Sequence, residues 1–111
     1  MLEPKLLRDM LNGGWKTLNF EPFRDGITIG RLLDGAPAIA VLRYEPGAQV
    51  PMHEHMGPEM IVVLEGSQSD EFGTYRRGDV VISPAGSRHS VHSEDGCVVL
   101  LNWSQPVRFT E

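Results

Sequence analysis

The chain has 111 residues, enough for one domain with a modest core and not for two. Its 10 basic and 15 acidic residues leave a formal charge of −5, which argues against nucleic acid or an anionic membrane as the main partner. No apolar run approaches the ~18 residues of a membrane helix, and the start Met1-Leu2-Glu3-Pro4-Lys5 lacks the basic-then-apolar pattern of a signal peptide. The single cysteine, Cys97, excludes an internal disulfide and fits a reducing, cytoplasmic setting.

The first candidate element is a short helix over residues 4–11. Pro4 suits a first-turn position, Leu6, Leu7, Met10 and Leu11 share one helical face, and Asn12-Gly13-Gly14 would end it. The alternative is an N-terminal arm, residues 1–14, lying against the body of the protein or a neighbouring subunit. From Trp15 onward the signals are those of short strands. Residues 15–20 precede a Pro/Asp/Gly loop, residues 27–33 precede Asp34-Gly35, and residues 38–44 end at Glu45-Pro46-Gly47. Further on, residues 67–71 and 74–77 flank Phe72-Gly73. Residues 80–83 lead to Pro84-Ala85-Gly86, residues 89–92 reach Glu94-Asp95-Gly96, and residues 97–103 close the core before the Gln105-Pro106 tail. Strands every 8 to 12 residues with turn chemistry between them read as an all-β sandwich or barrel. Residues 60–64 and 97–101 are apolar at both parities, which predicts burial of both strand faces. A small barrel covers only the inner face, so a second copy of the chain is expected over the outer one, as a homodimer.

The chemistry concentrates between Gly47 and Gly66. His53 and His55 lie two apart, so in an extended strand they point the same way. Met56-Gly57-Pro58 breaks that strand, and a chain doubling back brings Glu59 beside both imidazoles. Downstream, a strand and a Pro84/Gly86 turn deliver His89 to the same interior. Three neutral imidazoles and a carboxylate suit a borderline divalent metal such as Fe, Zn, Mn or Ni, one per chain. Four ligands around an octahedral ion leave room for a chelating substrate or dioxygen, whereas around zinc they can close a tetrahedron. Glu59 is also a candidate base. Gln49 shares parity with His53 and is a candidate to support the ligands. His92, three residues past His89, should face away, and Cys97 should act as a small core hydrophobe. Arg76-Arg77 reads as a solvated turn, and Trp103 as core or interface.

These two stretches resemble the paired motifs of the cupin superfamily. The first motif, G-x5-H-x-H-x3-E-x6-G, matches at Gly47, His53, His55, Glu59 and Gly66. The second, G-x5-P-x-G-x2-H-x3-N, matches at Gly78, Pro84, Gly86 and His89 and departs at Ser93, where asparagine is usual. The resemblance implies one jelly-roll β-barrel domain over residues 1–111, with residues 36–105 as the core carrying both motifs. It also implies metal ligation by His53, His55, Glu59 and His89. Leu64-Glu65-Gly66, Ser69 through Tyr75, Pro84 through His89 and Glu94 through Cys97 further resemble the ChrR-type cupin group, named after an anti-sigma factor.

That group implies two functions. One is a metal-dependent small-molecule enzyme of the non-haem dioxygenase type, binding its substrate in the barrel. The other is a non-enzymatic, zinc-binding sensory or regulatory module. No His/Cys cluster or anti-sigma domain precedes the barrel, which argues against carrying sigma-factor binding over and favours the enzyme. The expected partners are a small molecule and a second copy, with neither nucleic acid nor membrane.

Overall fold

The computed structural model describes residues 2–110, so Met1 and Glu111 of the expected domain lie outside the described residues. Two 3₁₀ turns, Met10–Asn12 and Gly14–Thr17, precede ten strands. These are β1 (Glu21–Arg24), β2 (Ile27–Leu33), β3 (Ala38–Tyr44), β4 (Gln49–His55), β5 (Glu59–Asp70), β6 (Gly73–Arg76), β7 (Val80–Ser83), β8 (Arg88–His92), β9 (Cys97–Trp103) and β10 (Val107–Phe109). The strands form a curled sheet in the order β1-β2-β3-β9-β5-β8-β4-β10, with β6 and β7 added to β5. Every pairing is antiparallel. The chain is thus all-β, a curled, half-closed barrel.

Strand β5 holds the two walls together. Its first half pairs with β7 and β9, while its second half pairs with β6 and touches β8 through Ser69 opposite His92. The bend between the halves falls where the register shifts from Val63 to Glu65 and Gly66 takes φ +73°. A Cβ on Gly66 would collide with the Gly96 carbonyl, so the crossing needs a glycine for space and for backbone conformation alike. The apolar run over residues 60–64 and the separate strand expected over residues 67–71 are therefore one continuous strand, bent at Gly66.

The inner core is built from alternate residues of facing strands: Ile29, Leu42, Ile61, Val63, Val99 and Leu101. Ile29, Val63 and Val99 are fully buried, each worth about 1.5–3 kcal/mol of apolar transfer. A second cluster lies on the outer side. There Trp15 packs with Val41, Leu64 and Val98, flanked by Met10, Leu18, Phe20, Leu32, Val62 and Leu100. This corrects one expectation. Residues 15–20 are not a strand, because Gly14–Thr17 winds into a 3₁₀ turn that swings the Trp15 indole onto the barrel. Part of the cover over the doubly apolar strands β5 and β9 is therefore supplied by the chain itself, while Met60 on β5 and Val80 and Ile82 on β7 stay exposed. Arg77, expected in a solvated turn, donates to the Leu11 carbonyl at 2.6 and 2.9 Å and to Asn12 Oδ1 at 2.9 Å, pinning this segment.

No helix forms over residues 4–11. Of the apolar stripe only Met10 docks, against the Trp15 cluster, while Leu6 and Leu11 stay exposed, and Asp9 at φ 57° breaks the helical run. Residues 2–9 form an irregular arm instead, tied where Lys5 Nζ donates to the Leu32 carbonyl at 2.9 Å. At the other end, the tail past Pro106 adds an unexpected strand, β10, which pairs with β4, the strand carrying His53 and His55. No helix among the described residues is long and apolar enough to cross a membrane.

Candidate metal centre

Strands β4 and β8 lie side by side with His53 directly opposite His89. His55 follows at the end of β4, where its backbone N–H donates to the Ser87 carbonyl at 2.9 Å and its carbonyl accepts from Gly86 N–H at 2.7 Å. The Pro84-to-Ser87 turn is thereby locked against β4. All three imidazoles are buried, and one nitrogen from each falls within 4.8 Å of the other two. The ring centres of His53 and His89 stand 4.6 Å apart, and those of His55 and His89 4.7 Å. The structure thus brings together the three histidines singled out by their spacing.

Each ring is held by its far nitrogen. His53 Nδ1–H donates to the Pro51 carbonyl at 2.8 Å. His55 Nδ1 meets Ser87 Oγ at 2.9 Å and the Ser87 carbonyl at 3.2 Å; since that hydroxyl donates its own proton to the Pro84 carbonyl, the imidazole is the donor. His89 Nδ1–H donates to Asp70 Oδ2 at 2.9 Å. Acceptors on all three Nδ1 atoms assign the Nδ1–H tautomer and leave each Nε2 with a free lone pair. The Nε2 atoms of His55 and His89 are buried and make no hydrogen bond. Burying such acceptors without partners is costly, and converging lone pairs backed by outer hydrogen bonds are what a divalent metal takes up. The donor set fits a metal ion on these grounds.

Glu59 opens β5 and places Oε1 3.2 Å from His55 Nε2, with both side chains buried. The contact is close enough for charge to act, though it is not aligned as a hydrogen bond. Burial by itself would push the His55 pKa down, but the Glu59 carboxylate and the Ser87 carbonyl raise it above its ordinary value. His53 moves the other way: burial lowers it, and the neighbouring His89 and His55 add to that.

Asp70 is the site residue that the spacing of ligand-type residues did not disclose. Its side chain is buried at the end of β5 and accepts from four donors. They are His89 Nδ1–H, the Tyr75 hydroxyl at 2.8 Å, and the backbone N–H groups of Phe72 at 2.8 Å and Gly73 at 3.2 Å. These donors outweigh burial, which alone would raise the carboxyl, and hold its pKa below the usual range. Burial and the Asp70 carboxylate push the Tyr75 phenol up to about 12. The available signal was Asp70 ahead of Phe72-Gly73, a turn-forming aspartate whose second oxygen remains free for other work.

Gln49 does not join the site. The β4–β8 register shifts between Val50 and His53, across Pro51, so parity is lost and Val50 rather than Gln49 turns inward. Gln49 is exposed. His92 is exposed, facing away from His89. Cys97 is buried, and burial pushes its thiol up to about 11, so it stays protonated at neutral pH. Trp103 packs against the inner core and lies 6.5 Å from the Phe23 ring. A cavity of about 120 Å³ reaches His53, Glu59 and His89 and is walled mainly by apolar side chains, Leu42, Ile61, Val107 and Phe109 among them.

A curled antiparallel barrel with imidazoles converging from paired strands defines a cupin. Residues 12–106 match the ChrR Cupin-like domain family, and the chain belongs to that family. It is 36% identical over 98 residues to the anti-sigma-E factor ChrR of Cereibacter sphaeroides, a match covering 86% of this chain and 44% of that protein. The chain therefore spans less than half the length of this curated relative. Among solved structures, Rhodobacter sphaeroides SigE in complex with the anti-sigma ChrR aligns with a TM-score of 0.72 at 25% identity, covering 79% of this chain and 49% of that one. An acetylacetone dioxygenase from Acinetobacter johnsonii aligns with a TM-score of 0.81 at 17% identity, covering 100% of this chain and 79% of that one, and shares the fold alone.

These relatives correct the expected partners. A set limited to a small molecule in the barrel and a second copy does not stand beside a relative solved in complex with a protein, SigE. The exclusion of nucleic acid lacks support too, since it rested on net charge, which averages over a whole surface.

Proposed function

We propose that this chain is a metal-binding regulatory module of the ChrR cupin kind, acting through a protein partner rather than turning over a substrate. His53, His55, His89 and Glu59 hold one divalent transition metal, with zinc the first candidate. The observation that carries this reading is the pair of buried, unpartnered Nε2 atoms on His55 and His89, each ring fixed from behind by an acceptor on Nδ1. Bound there, zinc would supply a closed site that ties β4, β5 and β8 together. The regulatory half of the reading draws on 36% identity to an anti-sigma factor. The dioxygenase expectation draws on neighbours at 17% identity and takes second place. A cytoplasmic location suits a module with a free, protonated thiol at its core.

Metal analysis of protein purified without oxygen, followed by oxygen uptake with acetylacetone after iron loading, tests this reading. About one zinc per chain and no substrate-dependent uptake are expected. Protein that retains no metal overturns the metal site, and stoichiometric uptake moves the chain to the dioxygenases. SigE, solved with the relative ChrR, is the first protein partner to titrate, with and without metal.

A further inference from the structure

The outer support of the metal centre is unequal. His53 and His55 are steadied by a backbone carbonyl and by a serine in an adjoining turn, both neutral. His89 alone is backed by a carboxylate, and that carboxylate also organises the tip of the β5–β6 hairpin through the N–H groups of Phe72 and Gly73 and the Tyr75 hydroxyl. The ladder between β5 and β8 has a single register pair, Ser69 with His92. Side chains therefore carry most of this junction: Asp70 holds His89, and next to it Glu71 accepts from the backbone N–H of Ser90 at 2.9 Å and from the Ser90 hydroxyl. Phe72, at the tip, is 77% exposed.

We propose that Asp70 is the positioning residue of the metal centre, fixing the His89 tautomer and coupling metal binding to the order of the 70–73 hairpin tip. A dication on His89 Nε2 withdraws charge from the ring and makes Nδ1–H a stronger donor to the carboxylate. A better-held Asp70 in turn better holds the Phe72 and Gly73 amides. Linkage makes the effect reciprocal, so whatever orders or displaces the tip changes metal affinity by the same factor. This inference rests on the metal-binding reading above.

Asp70→Asn keeps the size but cannot accept from all four donors, because its amide nitrogen would face a donor. Glu71→Gln is the control, altering the neighbouring clamp without touching a ligand. Zinc affinity, measured by chelator competition, should fall ~10–100-fold in Asp70→Asn and stay within twofold in Glu71→Gln. In the metal-free parent, imidazole ¹⁵N shifts should report Nδ1–H at His89, and Asp70→Asn should mix the tautomers. Zinc should slow hydrogen exchange at Phe72 and Gly73 severalfold in the parent and leave it unchanged in Asp70→Asn. If the parent binds zinc and Asp70→Asn binds it equally well, the positioning role falls while the metal reading stands. Equal losses in both variants would reduce Asp70 to a structural clamp, and zinc-independent exchange at the tip would remove the coupling. A parent that binds no zinc but keeps the Nδ1–H tautomer overturns the metal reading and the coupling together.

Discussion

His55 and Glu59 face each other at 3.2 Å in the barrel interior, one closing β4 and the other opening β5 across a three-residue turn. The carboxylate stabilises a proton on His55 that burial would otherwise expel, while burial and its imidazole neighbours discourage one on His53, whose ring centre lies only 5.2 Å from that of His55. Neighbouring imidazoles on one strand are thus set to release their protons at different pH values.

The first consequence is a pH dependence of metal binding. The metal requires neutral imidazoles, so its strongest proton competitor is His55, whose folded pKa lies above 6.5. Zinc affinity should begin to weaken as pH falls through that raised value, before His53 contributes. Glu59→Gln removes the charge that retains the proton. It should bind more weakly because a proposed ligand is lost, yet its pH midpoint should move down. Competition titrations between about pH 5.5 and 8 read both effects. Equal midpoints in parent and variant would rule out Glu59 as the source of the shift.

Acid stability should report on Asp70. Its carboxyl sits below the usual carboxylate range in the fold, so its stabilising contribution is present above the unfolded value of 3.8 and is lost as pH falls through the folded one. The thermal stability of the metal-free parent should exceed that of Asp70→Asn at pH 6. The gap should narrow as pH falls below about 4. A gap that widens toward acid would contradict the four-donor arrangement.

The sequence disclosed the site better than its surroundings. His53, His55 and His89 were legible because a period of two and a Pro/Gly turn translate directly into one facing cluster. Strands Ile27–Leu33, Ala38–Tyr44, Val80–Ser83 and Cys97–Trp103 were legible because each is an apolar run cut off by turn residues. Gln49 was misplaced because parity counts through a strand only while the register is unbroken, and Pro51 breaks it. Trp15 and Asp70 depend on long-range contacts, one across the outer face of three strands and one from hairpin to β8, which no local period records.

Trp15 covers Val41, Leu64 and Val98, so Trp15→Ala should lower the unfolding free energy by about 3–5 kcal/mol. Its indole N–H is buried without a partner, which makes Trp15→Phe the informative companion. Phenylalanine keeps much of the apolar contact and discards the orphan donor, so it should cost far less than alanine. Urea denaturation of the two variants decides. Equal losses would show that a phenyl ring recovers none of the contact with Val41, Leu64 and Val98.

Gly66 tests the crossing of β5. At φ +73°, with the Gly96 carbonyl where a Cβ would go, Gly66→Ala combines backbone strain of about 1–3 kcal/mol with a clash. Destabilisation beyond the strain alone is expected in urea melts, because the obstruction is backbone and cannot rotate aside. A variant as stable as the parent would mean that the two halves of β5 can separate without cost.

The proposed ligand set makes the strongest demand. His53 and His55 come from one strand, His89 from its neighbour and Glu59 from a third, so removals should differ in consequence. His89→Ala leaves two imidazoles and a carboxylate, enough to hold a borderline divalent ion weakly. His53→Ala combined with His55→Ala leaves Glu59 and His89, too few to compete with water and buffer. His92 faces solvent and Cys97 is a protonated thiol in the core, so His92→Ala and Cys97→Ala should retain metal as the parent does. Metal content per chain after dialysis gives the order, with circular dichroism confirming that each barrel is intact. Retained metal in the double-histidine variant would place the ion elsewhere. Loss of metal in a folded His92→Ala would mean that the imidazole outside the barrel, not the three within it, completes the site.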